Sequence, residues 1–91
     1  MRYAVEIKPS AVKDLQVLPK DVQRRVAHKI DALAENPRPA GIKKLEGLDN
    51  VYRLRVGDYR IIYQVQDDRV IVLVLRVRHR KDAYRQVSRH R

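Results

Sequence analysis

From Val51 to about Arg78 the chain keeps a period of two, broken at Gly57-Asp58 and at Asp67-Asp68-Arg69. Nothing else in the sequence constrains the fold as much, because strands joined by such short loops pair antiparallel with their neighbours. The strands implied are Val51 to Val56, Tyr59 to Gln66 and Val70 to Arg78. A leading glycine suits a type II′ turn, and a two-residue loop pairs Val56 with Tyr59, Arg55 with Arg60 and Arg53 with Ile62. Taking Asp67-Asp68-Arg69 as a three-residue loop pairs Arg60 with Arg76. One face then carries Tyr52, Leu54, Val56, Tyr59, Ile61, Tyr63, Val65, Ile71, Leu73, Leu75 and Val77, and is the face that packs on the rest of the chain. The other carries Arg53, Arg55, Arg60, Ile62, Gln64, Val72, Val74, Arg76, Arg78 and, past the strand end, Arg80. A one-residue slip would mix the two sets.

Upstream, Tyr3, Val5 and Ile7 alternate with Ala4, Glu6 and Lys8, which reads as a short strand ended by Pro9-Ser10. Ala11, Val12, Leu15 and Leu18, then Val22, Val26, Ile30 and Leu33, fall at helical spacing on either side of Pro19, so a helical hairpin is expected, closed by Asn36-Pro37-Arg38-Pro39-Ala40-Gly41. The fold class is therefore α+β: an N-terminal strand, an antiparallel helical hairpin, and a three-stranded antiparallel meander completing a four-stranded sheet. The segment from Ile42 to Asn50 reads as a linker, and the tail from Lys81 to Arg91 as a weak helix or an extended basic end. The 91 residues are one domain's worth of chain, taken as a single domain over 1–91.

Lysine and arginine number 21 against 11 acidic residues, a net charge of +10, and fourteen of the cations are arginine. Residues 1–50 hold ten cations and seven acids, whereas 51–91 hold eleven and four, so the excess sits with the meander. Such a balance points to a polyanionic partner. The absence of cysteine removes disulfide scaffolds, thiolate metal sites and thiol nucleophiles. The longest apolar run, Val70 to Leu75, is far short of the roughly eighteen residues of a membrane span. The opening residues carry no apolar signal core, so a cytoplasmic protein without a membrane partner is expected.

Like charges opposite one another on a sheet are destabilising, and Arg55 facing Arg60, with Arg53 close by and no acid on that face, is a local cost of the kind kept at functional sites. Arginine's planar fork matches phosphate oxygens, so the cluster reads as a phosphodiester cradle, against the plainer alternative of a solvated basic face. His28, His79 and His90 lie far apart in sequence and Asp67-Asp68 sits in a turn, so neither a metal nor another cofactor is expected. The cations Lys20, Arg24, Arg25 and Lys29, with His28, read as a solvated helix face, and Lys43 and Lys44 read similarly.

Three stretches carry a resemblance: Lys44-Leu45-Glu46-Gly47, then Val51 through Gly57-Asp58-Tyr59-Arg60 to Tyr63, and Val77-Arg78-His79-Arg80-Lys81-Asp82-Ala83-Tyr84-Arg85. Together they resemble the RelE/ParE toxin superfamily over nearly the whole chain. The resemblance implies the toxin of a type II toxin-antitoxin pair, held silent by a cognate acidic antitoxin in a hetero-oligomer. RelE-like members cut mRNA in the ribosomal A site; ParE-like members poison DNA gyrase and generally lack the catalytic set. That set has two basic residues on the strand before the hairpin, an arginine after the turn, and an arginine and a tyrosine near the C-terminus. Arg53, Arg55, Arg60, Arg80 and Tyr84 stand at those positions, which favours a metal-independent endoribonuclease acting on the ribosome and mRNA. Arg76, Arg78, His79, Lys81 and Arg85 are expected to bind RNA. The alternatives are a gyrase inhibitor on the same fold and a basic nucleic-acid-binding module without toxicity.

The general base is open at this point. Arginine does not lose its proton in the ordinary pH range. Tyr84 is the leading candidate because neighbouring arginines favour its phenolate, and its other reading is a ring stacked on a base. His79 alternates off the Arg80 face if the strand persists, and Glu46 stands in the linker before Gly47.

Overall fold

The computed structural model of the chain describes residues 2–81. Its elements are β1 (Ala4–Ile7), α1 (Pro9–Gln16), α2 (Lys20–Glu35), β2 (Lys43–Lys44), β3 (Val51–Val56), β4 (Tyr59–Gln66) and β5 (Ile71–His79). They form one sheet in the order β1-β5-β4-β3-β2, with β1 parallel to β5 and the remaining pairs antiparallel. The expected four strands thus become five, because part of the linker pairs with β3 as a two-residue edge strand. Two residues are too few to show a period.

The helices start where prolines stop other conformations. Pro9 occupies the first turn of α1, where its missing N–H is no loss, and Pro19 caps α2 while ending any continuation of α1. Val22, Val26, Ile30 and Leu33 of α2 are buried with Ala11 of α1 in one cluster with Tyr52, Leu54, Val56, Ile61, Tyr63 and Val65 of the sheet. Each fully buried aliphatic side chain there contributes about 1.5–3 kcal/mol. Val12, expected on the apolar stripe, is 39% exposed, because Ala11, Leu15 and Leu18 alone turn inward.

The first hairpin has the expected register, with Val56 opposite Tyr59 and Arg55 opposite Arg60. Gly57 has φ of 60° and Asp58 is not among the residues with positive φ, as a type II′ turn requires. The second hairpin differs. Its turn has four residues, so Gln66 pairs with Ile71, and the turn ends on Val70 with φ of 57°, a left-handed conformation that valine seldom adopts and that its sequence does not announce. Val72 and Val74 are therefore buried on the helix side, while Ile71 and Leu73 lie on the opposite face. A register shift between Ile62 and Tyr63 leaves Leu75 without a partner, after which Ile61 pairs with Val77 and Arg60 with Arg78. Arg78, not Arg76, is thus opposite Arg60, and the alternation inverts at the bulge.

Past Ile7, β1 no longer covers the edge of β5, and α1 takes over. Lys8 N donates to Val74 O at 2.9 Å, Ser10 Oγ donates to Leu75 O at 2.9 Å, and Val77 N donates to Asp14 Oδ2 at 2.9 Å. Edge groups left open would invite pairing with another chain.

Candidate nucleic-acid interface

The sheet face turned away from the helices gathers arginines at its β3–β4 hairpin end. Arg55 and Arg60 are directly opposite, Arg60 is opposite Arg78, and Arg53 is opposite Ile62. Arg80 N donates to Asp58 O at 2.8 Å, which carries the ladder one step past β5 and brings Arg80 to the same end. The arginines share a field: partial burial, then repulsion from Arg53, Arg55 and Arg80, lowers the Arg60 pKa from its ordinary value, although a guanidinium so placed keeps its charge. Among the described residues, the salt bridges are Arg2 with Glu35, Arg38 with Asp67 and Arg76 with Asp14, and none of them engages Arg53, Arg55, Arg60, Arg78 or Arg80. Arg55 Nε donates to Gly57 O at 3.1 Å, which fixes that side chain against the hairpin backbone. Arg78 Nε is shielded from solvent and donates to no acceptor among the described residues. Arg53, Arg55, Arg60 and Arg80, without a salt-bridge partner among the described residues, suit an anion with several oxygens, as a phosphodiester is, whereas the Arg78 charge also lies near enough to Asp14 to help lower its pKa.

The other site candidates separate. Arg76 is drawn to α1, where its Nε and Nη2 donate to the Asp14 carboxylate at 2.9 and 3.1 Å. His79 lies on the helix side, its ring edge-on to Tyr59 with centroids 5.0 Å apart, and its Nδ1 accepts from Lys81 N at 3.1 Å. His79 and Lys81 border a cleft of about 420 Å³, lined also by Asp14, Val17, Leu18, Tyr59, Val77 and Arg78, between α1 and the end of the sheet. Glu46 is exposed in the segment between β2 and β3. Tyr84 and Arg85 lie outside the described residues.

Two cations that read from the sequence as solvated surface, Lys43 and Arg25, lie beside the arginine face. Lys43 is opposite Arg53 through the β2 edge strand, which extends the basic face by one strand. Arg25 of α2 brings its guanidinium to 3.6 Å from where a Cβ at Gly57 would lie, so the helix contributes a cation beside the hairpin tip. Neither has a periodic signal; the glycine that opens the turn is the only hint of a close approach.

At the opposite end of the sheet an arginine is fully engaged. Arg38 donates to both Asp67 oxygens, at 3.1 and 2.8 Å, and its Nε donates to Tyr52 Oη at 2.9 Å. Tyr3 Oη donates to Asp67 Oδ1 at 2.8 Å. Hydrogen bonds from Arg38 and Tyr3 hold the Asp67 carboxyl at about 2. Burial pushes the Tyr63 phenol up to about 12, while its Oη donates to Pro37 O at 2.8 Å. Among the described residues no group of three or more histidine, cysteine or acidic side chains is placed to hold a metal ion, and no helix is long and apolar enough to cross a membrane.

Residues 5–84 match a family model described as the ParE toxin of a type II toxin-antitoxin system. The putative toxin RelE1 of Methanocaldococcus jannaschii is 36% identical, covering 93% of this chain and 98% of its own length. The mRNA interferase toxin RelE of Escherichia coli is 33% identical, covering 92% of each. In the crystal structure of the archaeal RelE–RelB complex from Pyrococcus horikoshii, a chain 39% identical superposes with a TM-score of 0.78 over 88% of this chain and 97% of its own.

Proposed function

Because the chain belongs to the RelE/ParE superfamily of type II toxin-antitoxin toxins, we propose that it is a ribosome-dependent endoribonuclease that cuts mRNA in the A site and so inhibits translation. The observation that carries this reading is the convergence of Arg53, Arg55, Arg60 and Arg80 at one end of a face, without a salt-bridge partner among the described residues. A relative at 33% identity is named an mRNA interferase, which agrees with it.

In the proposed reaction the ribose 2′-oxygen gives its proton to a base and attacks the adjacent phosphorus in line. The bond from phosphorus to the 5′-oxygen breaks, and that oxygen takes a proton, leaving a 2′,3′-cyclic phosphate and a 5′-hydroxyl. Arg60 and Arg80 hold the phosphoryl oxygens as negative charge grows on them, and Arg53 and Arg55 add to the field; no metal is required when guanidinium groups supply that charge. Tyr84 is the proposed base or stacking platform, and Arg78, Lys81 and Arg85 extend the RNA contacts. Arg76 joins them only by leaving Asp14, and His79 only from the far side of the sheet. The silencing partner is an acidic antitoxin, and the setting is the cytoplasm, where mRNA is translated.

The family model's ParE description favours a second reading, inhibition of DNA gyrase. Induced expression of the chain without antitoxin, followed by primer extension on a reporter mRNA with and without translation, separates the two. Cuts that need translation and precede any DNA-damage response support the ribonuclease. Intact mRNA with gyrase-linked DNA breaks replaces it with the gyrase inhibitor.

A further inference from the structure

The inversion of β5 at Leu75 decides which residues reach the arginine face. Val72 and Val74 are buried on the helix side, so an unbroken strand would turn residues 76, 78 and 80 inward with them. The unpartnered Leu75 shifts the count by one, so Val77 is buried and position 78 falls opposite Arg60, at the border between the open face and the cleft that Arg78 lines with Asp14. A bulge is a local loss of ladder bonds and persists where other groups take those bonds up. Here α1 takes them up. Ser10 Oγ donates to the carbonyl of Leu75 itself, at 2.9 Å. Asp14 accepts Val77 N just beyond it, at 2.9 Å, and clamps the Arg76 guanidinium with both carboxylate oxygens. The Asp14 side chain is only 16% exposed. Burial works against its charge, yet the bonds from Arg76 and Val77, with the nearby charges of Arg76 and Arg78, outweigh burial and leave its pKa below the ordinary value.

We propose that Ser10 and Asp14 are positioning residues for the arginine face: by holding the Leu75 bulge from the edge of the sheet, they turn Arg78 and Arg80 to the side on which Arg60 lies. The role rests on the ribonuclease reading for its effect on activity, but the register it fixes is measurable without any reaction.

The test uses the full chain released from its antitoxin, with single-turnover cleavage measured on programmed ribosomes. Asp14→Ala is expected to slow cleavage at saturating ribosomes by about tenfold or more, with the half-saturating concentration held within about twofold, because a misplaced transition-state contact lowers turnover rather than binding. Asp14→Asn keeps an oxygen for Val77 N–H and should recover most of the rate. Deleting Leu75 in the Asp14→Ala background should recover it as well. Without the extra residue, Ile62 pairs with Arg76 and Arg60 with Arg78 in a continuous ladder that needs no support from α1. A role confined to stability gives no reason for a deletion in a strand to restore turnover, and Ile30→Val, a core truncation on α2 that touches none of the bonds from Ser10 and Asp14, should leave the rate unchanged.

If the parent chain does not cleave mRNA, the ribonuclease reading fails and cross-strand NMR contacts judge the positioning alone. The parent then shows Tyr63 opposite Val74 and Ile61 opposite Val77, and Asp14→Ala loses the second pairing. Should Asp14→Ala not fold, Ser10→Ala carries the same comparison with a smaller loss. Parent-like cleavage or an intact Ile61–Val77 pairing in the variant overturns the inference, as does a Leu75 deletion that restores neither.

Discussion

At the end of the sheet near the β4–β5 turn, Arg38 lies against the Asp67 carboxylate and the Tyr52 hydroxyl, whereas at the β3–β4 hairpin end Arg53, Arg55, Arg60 and Arg80 confront one another. The side chain is the same and the sheet is the same; among the described residues only the first has a salt-bridged carboxylate. With one, the guanidinium ties the loop after α2 to the turn before β5. Without one, the charges raise the free energy of the folded chain, and in the proposed function a bound anion lowers it again. The proposed function thus makes stability and recognition separable, end by end.

The largest expected effect breaks the recognition end. Arg60→Ala or Arg80→Ala should lower cleavage on the order of a hundredfold or more, the scale of losing a preorganised contact to developing charge. Lysine at either position should restore part of it, since a point charge replaces a two-pronged donor. Thermal unfolding of the same variants should show Tm equal to the parent or higher, because like-charge repulsion is relieved. A Tm drop matching the loss of activity would mean that the cluster holds the fold instead.

Arg38→Ala should show the reverse pattern. Cleavage should stay within about twofold, while urea unfolding should show a loss of about 1 kcal/mol, the scale of a half-exposed ion pair with one further hydrogen bond. A smaller effect sharpens the contrast through pH. The Asp67 carboxyl is depressed from 3.8 to about 2 in the folded chain, so its contribution is complete above the unfolded value and is lost as pH falls from about 4 through 2. The urea midpoint of the parent should fall across that window, more gently at high salt. Arg38→Ala, which frees Asp67 from its main partner, should flatten the slope.

Much of this is legible in the sequence. Gly57-Asp58 set the first hairpin, and with it Arg55 against Arg60, because a two-residue loop allows one register. The second hairpin was not legible, since Val70 adopts a left-handed backbone and Leu75 drops out of the ladder, and neither residue type signals such behaviour. Two such local departures moved Arg76 away from Arg60 and put Arg78 in its place. The bonds from Ser10 and Asp14 to β5 span more than sixty positions of sequence, and no period or motif reports contacts of that range. Asp67 sits in a turn, where aspartates commonly bond locally, but its partners are the distant Tyr3 and Arg38.

The claim that the uncompensated arginines are the phosphate site of an mRNA-cleaving toxin meets its most direct test in the chemistry of the cut ends. Programmed ribosomes are incubated with the purified parent chain and, separately, with Arg60→Ala, and the mRNA fragments are mapped and their termini identified. The expected result is a cut within the A-site codon with a 2′,3′-cyclic phosphate upstream and a 5′-hydroxyl downstream, nearly absent with Arg60→Ala. Intact mRNA with the parent chain, or cutting undiminished by Arg60→Ala, would contradict it.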